Sequence, residues 1–249
     1  MSVWALSDPH LAFGVPSKTM EAFGPNWERY AERIAENWKK VISSEDLVLI
    51  PGDISWASDL DEALVDLKWI DAWPGTKLMI RGNHDYWWSS PAKIKKILPP
   101  SIHIIQNDSF TWNDITIGGS RLWDTPEYGF NGFIEYQENP RARQKPPEES
   151  KEENEEKIFL RELERLKLSL ETLDKQAKLR IAMTHYPPIG ADLAPSRASK
   201  ILENYDIDIC VFGHLHNVRK GSLPFGVAGE VTYLFTSCDY LDFMPLKIV

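Results

Sequence analysis

The chain has 249 residues, 43% hydrophobic and 26% charged, with a formal net charge of −9. That length and composition suit one α/β domain with an ample core, spanning 1–249. An acidic chain is a poor general nucleic-acid binder, because that affinity comes from Lys and Arg neutralising phosphates, so no stable nucleic-acid complex is expected.

The first apolar run, Val3 to Leu6, reads as a strand and ends in Asp8-Pro9-His10. A strand starting at about Ser2 leaves no room for a signal or transit peptide ahead of the fold, and no apolar run approaches the roughly 20 residues of a membrane span. Together with two cysteines, Cys210 and Cys238, that read as packed thiols in a reducing compartment, this predicts a cytoplasmic protein without a membrane segment. After the breaker Gly24-Pro25, Trp27, Tyr30, Ile34, Trp38 and Val41 recur at helical spacing and predict an amphipathic helix over 26–42. Leu47 to Ile50 is a second strand, closed by Gly52-Asp53. Leu60, Ala63, Leu64, Leu67 and Ile70 predict a second helix with Ser58 as N-cap and Asp61 three residues on. Leu78 to Ile80 is a third strand, followed by Arg81-Gly82-Asn83-His84-Asp85-Tyr86-Trp87-Trp88, with Gly82 turning the chain at the strand's C-terminal end. Strand, helix, strand, helix, strand is a parallel α/β beginning, and polar groups at the carboxyl ends of such strands are where chemistry collects.

From Ser101 the pattern changes to short strands at Ile102 to Ile105, Phe110 to Trp112 and Ile115 to Ile117, the last ending at Gly118-Gly119. Asp124 to Asn154 is rich in Pro, Gly and charge and reads as a long exposed excursion; Glu148 to Lys157 alone holds six acids against two lysines. Phe159, Leu163, Leu166, Leu170 and Leu173 then place one apolar stripe on a charged helix, so a loop-plus-helix excursion is expected at about 124–178. Its stripe faces its own domain or, as an alternative, serves as a lid or dimer contact. Strands resume at Arg180 to Met183, Ile207 to Phe212, Val231 to Phe235 and Leu246 to Val249, and no internal repeat is present.

Five of the six histidines lie in polar clusters directly after strand-like runs: His10, His84, His185, and the pair His214 and His216. His103 belongs to no cluster and is expected at a surface or edge. A donor set of Asp8, His10, Asp53, Asn83, His185, His214 and His216 suits a divalent transition metal, since imidazole favours Mn, Fe, Zn or Ni over Mg and the oxygen donors argue against a closed zinc site. Seven ligands are too many for one ion with an open position and about right for two ions sharing a carboxylate.

In order along the chain these motifs are Asp-x-His, Gly-Asp, Gly-Asn-His-Asp, a His after the strand ending in Thr184, and Gly-His-x-His. That ordered set, covering Asp8 to His216, resembles the calcineurin-like metallophosphoesterase superfamily. The resemblance implies a four-layer α/β/β/α sandwich, two mixed sheets packed face to face with helices outside. It also implies a dinuclear site in which Asp8, His10 and His216 hold one metal, Asn83, His185 and His214 the other, and Asp53 bridges them. The expected ions are two divalent metals, manganese, iron or zinc. The activity implied is a metal-dependent phosphohydrolase in which a metal-bridging hydroxide attacks phosphorus and His84 acts as general acid. A diester or small organic phosphate is the expected substrate and partner.

Two features set this chain apart from the protein Ser/Thr phosphatases of that superfamily. Their Gly-Asp-x-x-Asp-Arg-Gly is here Gly52-Asp53-Ile54-Ser55-Trp56-Ala57-Ser58, with Trp56 in place of the second Asp and no Arg after it. The chain also has Gly-Asn-His-Asp instead of Gly-Asn-His-Glu, as the phosphodiesterase-like branches do. A phosphoprotein phosphatase is thereby disfavoured, and what orients His84 is open, Asp85 being adjacent. A non-catalytic metal-binding scaffold of the same fold is the alternative from another class. Trp56, Trp87 and Trp88 are candidates either for packing or for stacking on a nucleobase or aromatic leaving group, and Arg121 and Arg197 are candidates for phosphate contact. The pattern carries no signal for an oligomeric partner.

Overall fold

The structure is a computed structural model that describes residues 1–135, 151–223 and 225–249. Part of the excursion expected over 124–154 therefore lies outside the described residues. The strands are β1 (Val3–Ala5), β2 (Leu47–Ile50), β3 (Thr76–Met79), β4 (Ile102–Ile104), β5 (Phe110–Trp112), β6 (Ile115–Ser120), β7 (Leu179–Thr184), β8 (Ile209–Phe212), β9 (Val227–Ala228), β10 (Val231–Phe235) and β11 (Leu246–Lys247). The α-helices are α1 (Tyr30–Val41), α2 (Leu60–Asp71), α3 (Pro91–Lys95), α4 (Lys151–Leu170) and α5 (Arg197–Asn204). Among the described residues, no helix is long and apolar enough to cross a membrane.

Two mixed sheets form, ordered β11-β1-β2-β3-β4 and β5-β6-β7-β8-β10-β9, each parallel in its middle and antiparallel at an edge. The period-2 alternation of strand side chains decides what each face meets. Leu47 and Leu49 of β2, Leu78 of β3, Ile117 of β6, Ile181 and Met183 of β7 and Val211 of β8 build one core between the sheets. Val48, Ile50 and Met79 point the other way, onto Ile34, Trp38, Leu67 and Ile70 of α1 and α2. Ala182, Cys210, Phe212 and Tyr233 face a third core with Phe159, Leu163, Leu166 and Leu170 of α4 and Ala198 and Leu202 of α5. The layers are therefore helix, sheet, sheet, helix, as the resemblance implies. The stripe of α4 is buried against the second sheet, and both cysteines are buried free thiols.

The ends of several elements differ from their expected positions. The first helix begins at Tyr30, because the chain runs through a 3-10 turn over Pro25–Trp27 and Arg29 adopts a left-handed φ of 51°. In α2 the N-cap is Asp59, not Ser58: its Oδ1 accepts the N–H groups of Asp61 and Glu62 (both 3.0 Å), while Glu62 reaches back to the Ser58 N–H (2.8 Å). β6 runs on through Gly118-Gly119 to Ser120. A Cβ at Gly119 would fall on the Met183 carbonyl, so glycine allows the close pairing with β7 that extends the strand. His103 is exposed on the edge strand β4, beside Phe110.

Candidate metal centre

Each predicted cluster sits where a strand ends. β1, β2, β3, β7 and β8 deliver Asp8 and His10, Asp53, Asn83, His185, and His214 and His216 to one place along the aligned edges of the two sheets. The chain bends abruptly there: Asp8, His10, Asp53 and His214 all have left-handed backbone, with φ of 59°, 44°, 52° and 74°. Such strain in non-glycine residues persists only where the surroundings impose it, and it clusters at functional sites.

Asp53 Oδ2 lies 3.5 Å from His10 Nε2 and 3.5 Å from His185 Nε2. His10 Nε2 faces His216 Nε2 at 3.0 Å, and Asp8 Oδ1 lies 4.0 Å from His216 Nε2. On the other side Asn83 Oδ1 is 2.6 Å from His185 Nε2 and 3.0 Å from His214 Nδ1. Asp8, His10 and His216 present ligand atoms within 4.8 Å of one another, as do Asp8, Asp53 and His185. All seven predicted ligands are thus brought together, with Asp8, His10, Asp53 and His185 buried and Asn83, His214 and His216 half-buried at the mouth.

Partners behind the donors fix which atom faces inward. His185 Nδ1 is 2.9 Å from the Pro51 carbonyl, which leaves Nε2 for the centre. His216 Nδ1 is held by Asp239 Oδ1 at 2.9 Å, and Asp239 Oδ2 also accepts the Asn217 N–H. Asp8 Oδ2 accepts the hydroxyls of Ser7 (2.5 Å) and Ser237 (2.8 Å) and the His214 N–H (3.1 Å). Asp53 Oδ1 accepts the His84 N–H at 2.8 Å. Glycine makes room for both carboxylates, since a Cβ at Gly82 would fall on Asp53 and one at Gly213 on Asp8 and Ser7.

The electrostatics suit a cation. Burial keeps His10 and His185 well below the usual imidazole range and pushes His214 down to about 3, with the neighbouring His216 charge adding to it, so these rings offer neutral lone pairs. Burial raises Asp8 to about 6 and holds Asp53 well above the usual carboxylate range, the latter helped by Asp85 and Asp8. Burial alone would lower His216, but the carboxylates of Asp239, Asp8 and Asp53 push it up to about 9. Three neutral imidazoles, an amide oxygen and two carboxylates converge on one buried spot with His216, which would give up its proton to an incoming cation; this donor set fits divalent ions, and Asp53 Oδ2 faces both His10 and His185.

His84 lies beside this cluster. Its ring centroid is 4.4 Å from that of Trp56 and 5.7 Å from that of His10, and its Nδ1 is buried with no hydrogen-bond partner among the described residues. Asp85 does not orient it: that buried carboxylate accepts the N–H groups of Gly82, Ile54 and Ser55 and the Trp87 indole, tying the loops after β2 and β3 together. Trp56 also stacks on His10 (5.0 Å, 22°), so one indole packs against both imidazoles.

The stacking surface considered for Trp87 and Trp88 has no open face. They are only 2% and 5% exposed within the core under the first sheet, with indole N–H groups bonded to Asp85 and Gln106. Arg197 is occupied by Glu127 and Glu156, through ion pairs of 2.6 and 2.5 Å. Arg121 pairs with Glu162, and its backbone carbonyl accepts the His185 and Tyr186 N–H groups next to the cluster.

Several residues of the site escape sequence reading. Trp27 meets His216 edge-on, and Tyr186 covers His214 at 3.9 Å. Asp239 follows β10 in Thr236-Ser237-Cys238-Asp239, the same strand-then-polar pattern, but with no histidine or glycine to mark it. Because Asp239 fixes the ring of His216, Asp239→Asn is expected to weaken metal affinity about 10- to 100-fold with the fold intact. Metal titration followed by mass spectrometry checks this, with far-ultraviolet circular dichroism as the control.

A model of the calcineurin-like phosphoesterase family matches residues 1–218. A stretch of 85 residues is 36% identical to the gene 66 protein of Mycobacterium phage D29, and one of 86 residues is 34% identical to its counterpart in Mycobacterium phage L5. Each match takes in 34% of this chain and 40% of the relative. Two solved structures resemble the chain over nearly its whole length. A protein of unknown function from Aquifex aeolicus has TM-score 0.48 and 15% identity, with 99% of this chain and 95% of that one covered. The phosphopantetheinyl hydrolase of Mycobacterium tuberculosis has TM-score 0.54 and 14% identity, with 100% and 95% covered, a likeness of fold.

Proposed function

Since this chain belongs to the calcineurin-like phosphoesterase family, we propose that it hydrolyses a small phosphate ester at a dinuclear metal centre formed by Asp8, His10, Asp53, Asn83, His185, His214 and His216. The observation that carries this reading is the position of Asp53 Oδ2, 3.5 Å from the Nε2 atoms of both His10 and His185, where one carboxylate reaches both halves of the ligand set. Asp8, His10 and His216 serve one half; Asn83, His185 and His214 serve the other. Bound divalent ions would supply positive charge for the phosphate oxygens and acidify water near neutral pH.

The chain's own groups then position and donate. His84 stands at the half-buried mouth and is the proposed general acid for the leaving oxygen. Burial and the charge of His216 push it down to about 4, and an arriving phosphate brings the negative charge that favours its protonated form. In place of a carboxylate behind the ring, the packing of Trp56 sets its orientation. Ser7, Ser237 and Asp239 hold Asp8 and His216 still, so the centre is preorganised.

A small substrate is supported by the cleft beside His214, a cavity of about 210 Å³ whose wall includes Trp123, Tyr128 and Tyr186. That space suits a small organic group, and a chain of the same fold is a phosphopantetheinyl hydrolase. The lack of the second Asp and the Arg of the protein phosphatases points the same way.

Metal-stripped protein reloaded with Mn²⁺ is expected to release p-nitrophenol from p-nitrophenyl phosphate or its bis-p-nitrophenyl diester, and stripped protein to release none. The faster ester separates monoesterase from diesterase. Metal uptake without turnover of either ester, or of a panel of nucleotides, would replace this reading with the scaffold.

A further inference from the structure

Beside the metal centre, between the carboxyl ends of β3 and β6, is a second cavity of about 70 Å³ lined by Arg81, Ser89, Arg121, Glu162 and Arg165 among others. Its lining is tied to the centre through the backbone. Arg81 precedes Gly82-Asn83, and the Arg121 carbonyl holds the backbone of His185.

Its chemistry is unbalanced. Arg81 makes no hydrogen bond or ion pair among the described residues, and its Nε, the Nε of Arg121 and the hydroxyl of Ser89 are buried without partners. Buried polar groups are normally satisfied, so three unsatisfied atoms on residues around one small space call for an explanation. Charge gives the direction. Glu162, the lone carboxylate of the lining, is already shared by Arg121 (3.2 Å), Arg165 (2.7 Å) and Arg161 (3.5 Å). One acid against three lining arginines leaves a net positive cavity in a chain whose formal charge is −9. Trp88 closes the inner side with its indole turned to Gln106, and the Arg121 guanidinium lies 4.5 Å over the Trp123 ring, which holds its fork in place.

We propose that this cavity is an oxyanion subsite in which Arg81 and Arg121 bind a second phosphate or carboxylate carried by the substrate. Planar guanidinium forks match either group in pairs of charge-assisted hydrogen bonds. The inference rests on the phosphoesterase reading for its link to turnover; binding alone tests the subsite. Substrates with two anionic groups are thereby favoured over simple alkyl phosphates, and Arg81 becomes a specificity-determining residue.

The test uses Mn²⁺-loaded protein and three ligand series of graded spacer length: alkyl monophosphates, α,ω-alkanediol bisphosphates and ω-phosphoalkanoates. Affinity is read by isothermal titration calorimetry and turnover by phosphate release. At one spacer length a two-anion ligand is expected to bind at least about tenfold more tightly than the monophosphate of equal length, the size of one added charged hydrogen bond. Arg81→Gln is expected to abolish that advantage and Arg81→Lys to keep part of it, both with melting temperatures near that of the parent chain. The bisphosphate and carboxylate arms tell which oxyanion the subsite prefers. No advantage at any spacer length, or an advantage that survives Arg81→Gln, would overturn the proposal. An advantage lost in Arg81→Gln without hydrolysis of any ester would keep the subsite and remove the hydrolase reading instead.

Discussion

Asp53→Asn is expected to lower kcat for a phosphate ester by about 10³-fold or more, since losing a shared carboxylate removes several kcal/mol of charge stabilisation and each ~1.4 kcal/mol is tenfold in rate. The geometry gives the reason. One oxygen of Asp53 accepts the His84 N–H at 2.8 Å and the other faces His10 and His185. Asparagine keeps the shape and presents at most one neutral oxygen, so it cannot serve both faces as an anion. Burial already holds this carboxyl well above its ordinary range, so the change is expected to leave the metal-free fold no less stable. Steady-state kinetics with metal analysis and a thermal melt check it: retained activity would remove Asp53 from the centre, whereas a collapsed melt would make its role structural.

His84→Ala is expected to cost about 10² to 10⁴-fold on an alkyl phosphate ester, the usual worth of a general acid. The loss on a p-nitrophenyl ester should be much smaller, because that alcohol leaves without a proton. The contrast between leaving groups separates proton donation from phosphate binding, which would affect both esters alike. Trp56→Ala is expected to show the same contrast in weaker form and Trp56→Phe to restore most of it, since an aromatic face 4.4 Å from the His84 ring is what the reading requires. Equal losses on both esters in His84→Ala would assign the ring to substrate binding instead.

The convergence of the seven candidate residues was legible because the fold places them at strand ends, and a buried strand followed by a turn is a strong local signal. His10, His84, His185, His214 and His216 each come just after such a run. The strand order of the two sheets was not legible: β10 lies next to β8 with β9 outside it, and β11 runs antiparallel beside β1, pairings made by tertiary contact. The groups behind the ligands were hidden for the same reason. Ser237 and Asp239 reach Asp8 and His216 from far along the chain, and nothing local marks a serine or aspartate as their partner. Trp87 and Trp88 show the converse. Adjacency to Asn83 and His84 suggested a place at the site, but the chain turns inward after Asp85 and both indoles enter the core. The helix predicted from residue 26 starts at Tyr30 because Trp27 fits the apolar stripe yet packs from a 3-10 turn, where it meets both Tyr30 and His216.

The most direct test of the centre is its metal stoichiometry. Protein stripped with chelator, reloaded with Mn²⁺ and desalted is expected to retain two ions per chain by plasma mass spectrometry, and Asp53→Asn fewer. One ion per chain, unchanged in Asp53→Asn, would contradict a shared carboxylate and leave the converging histidines as a mononuclear or structural site.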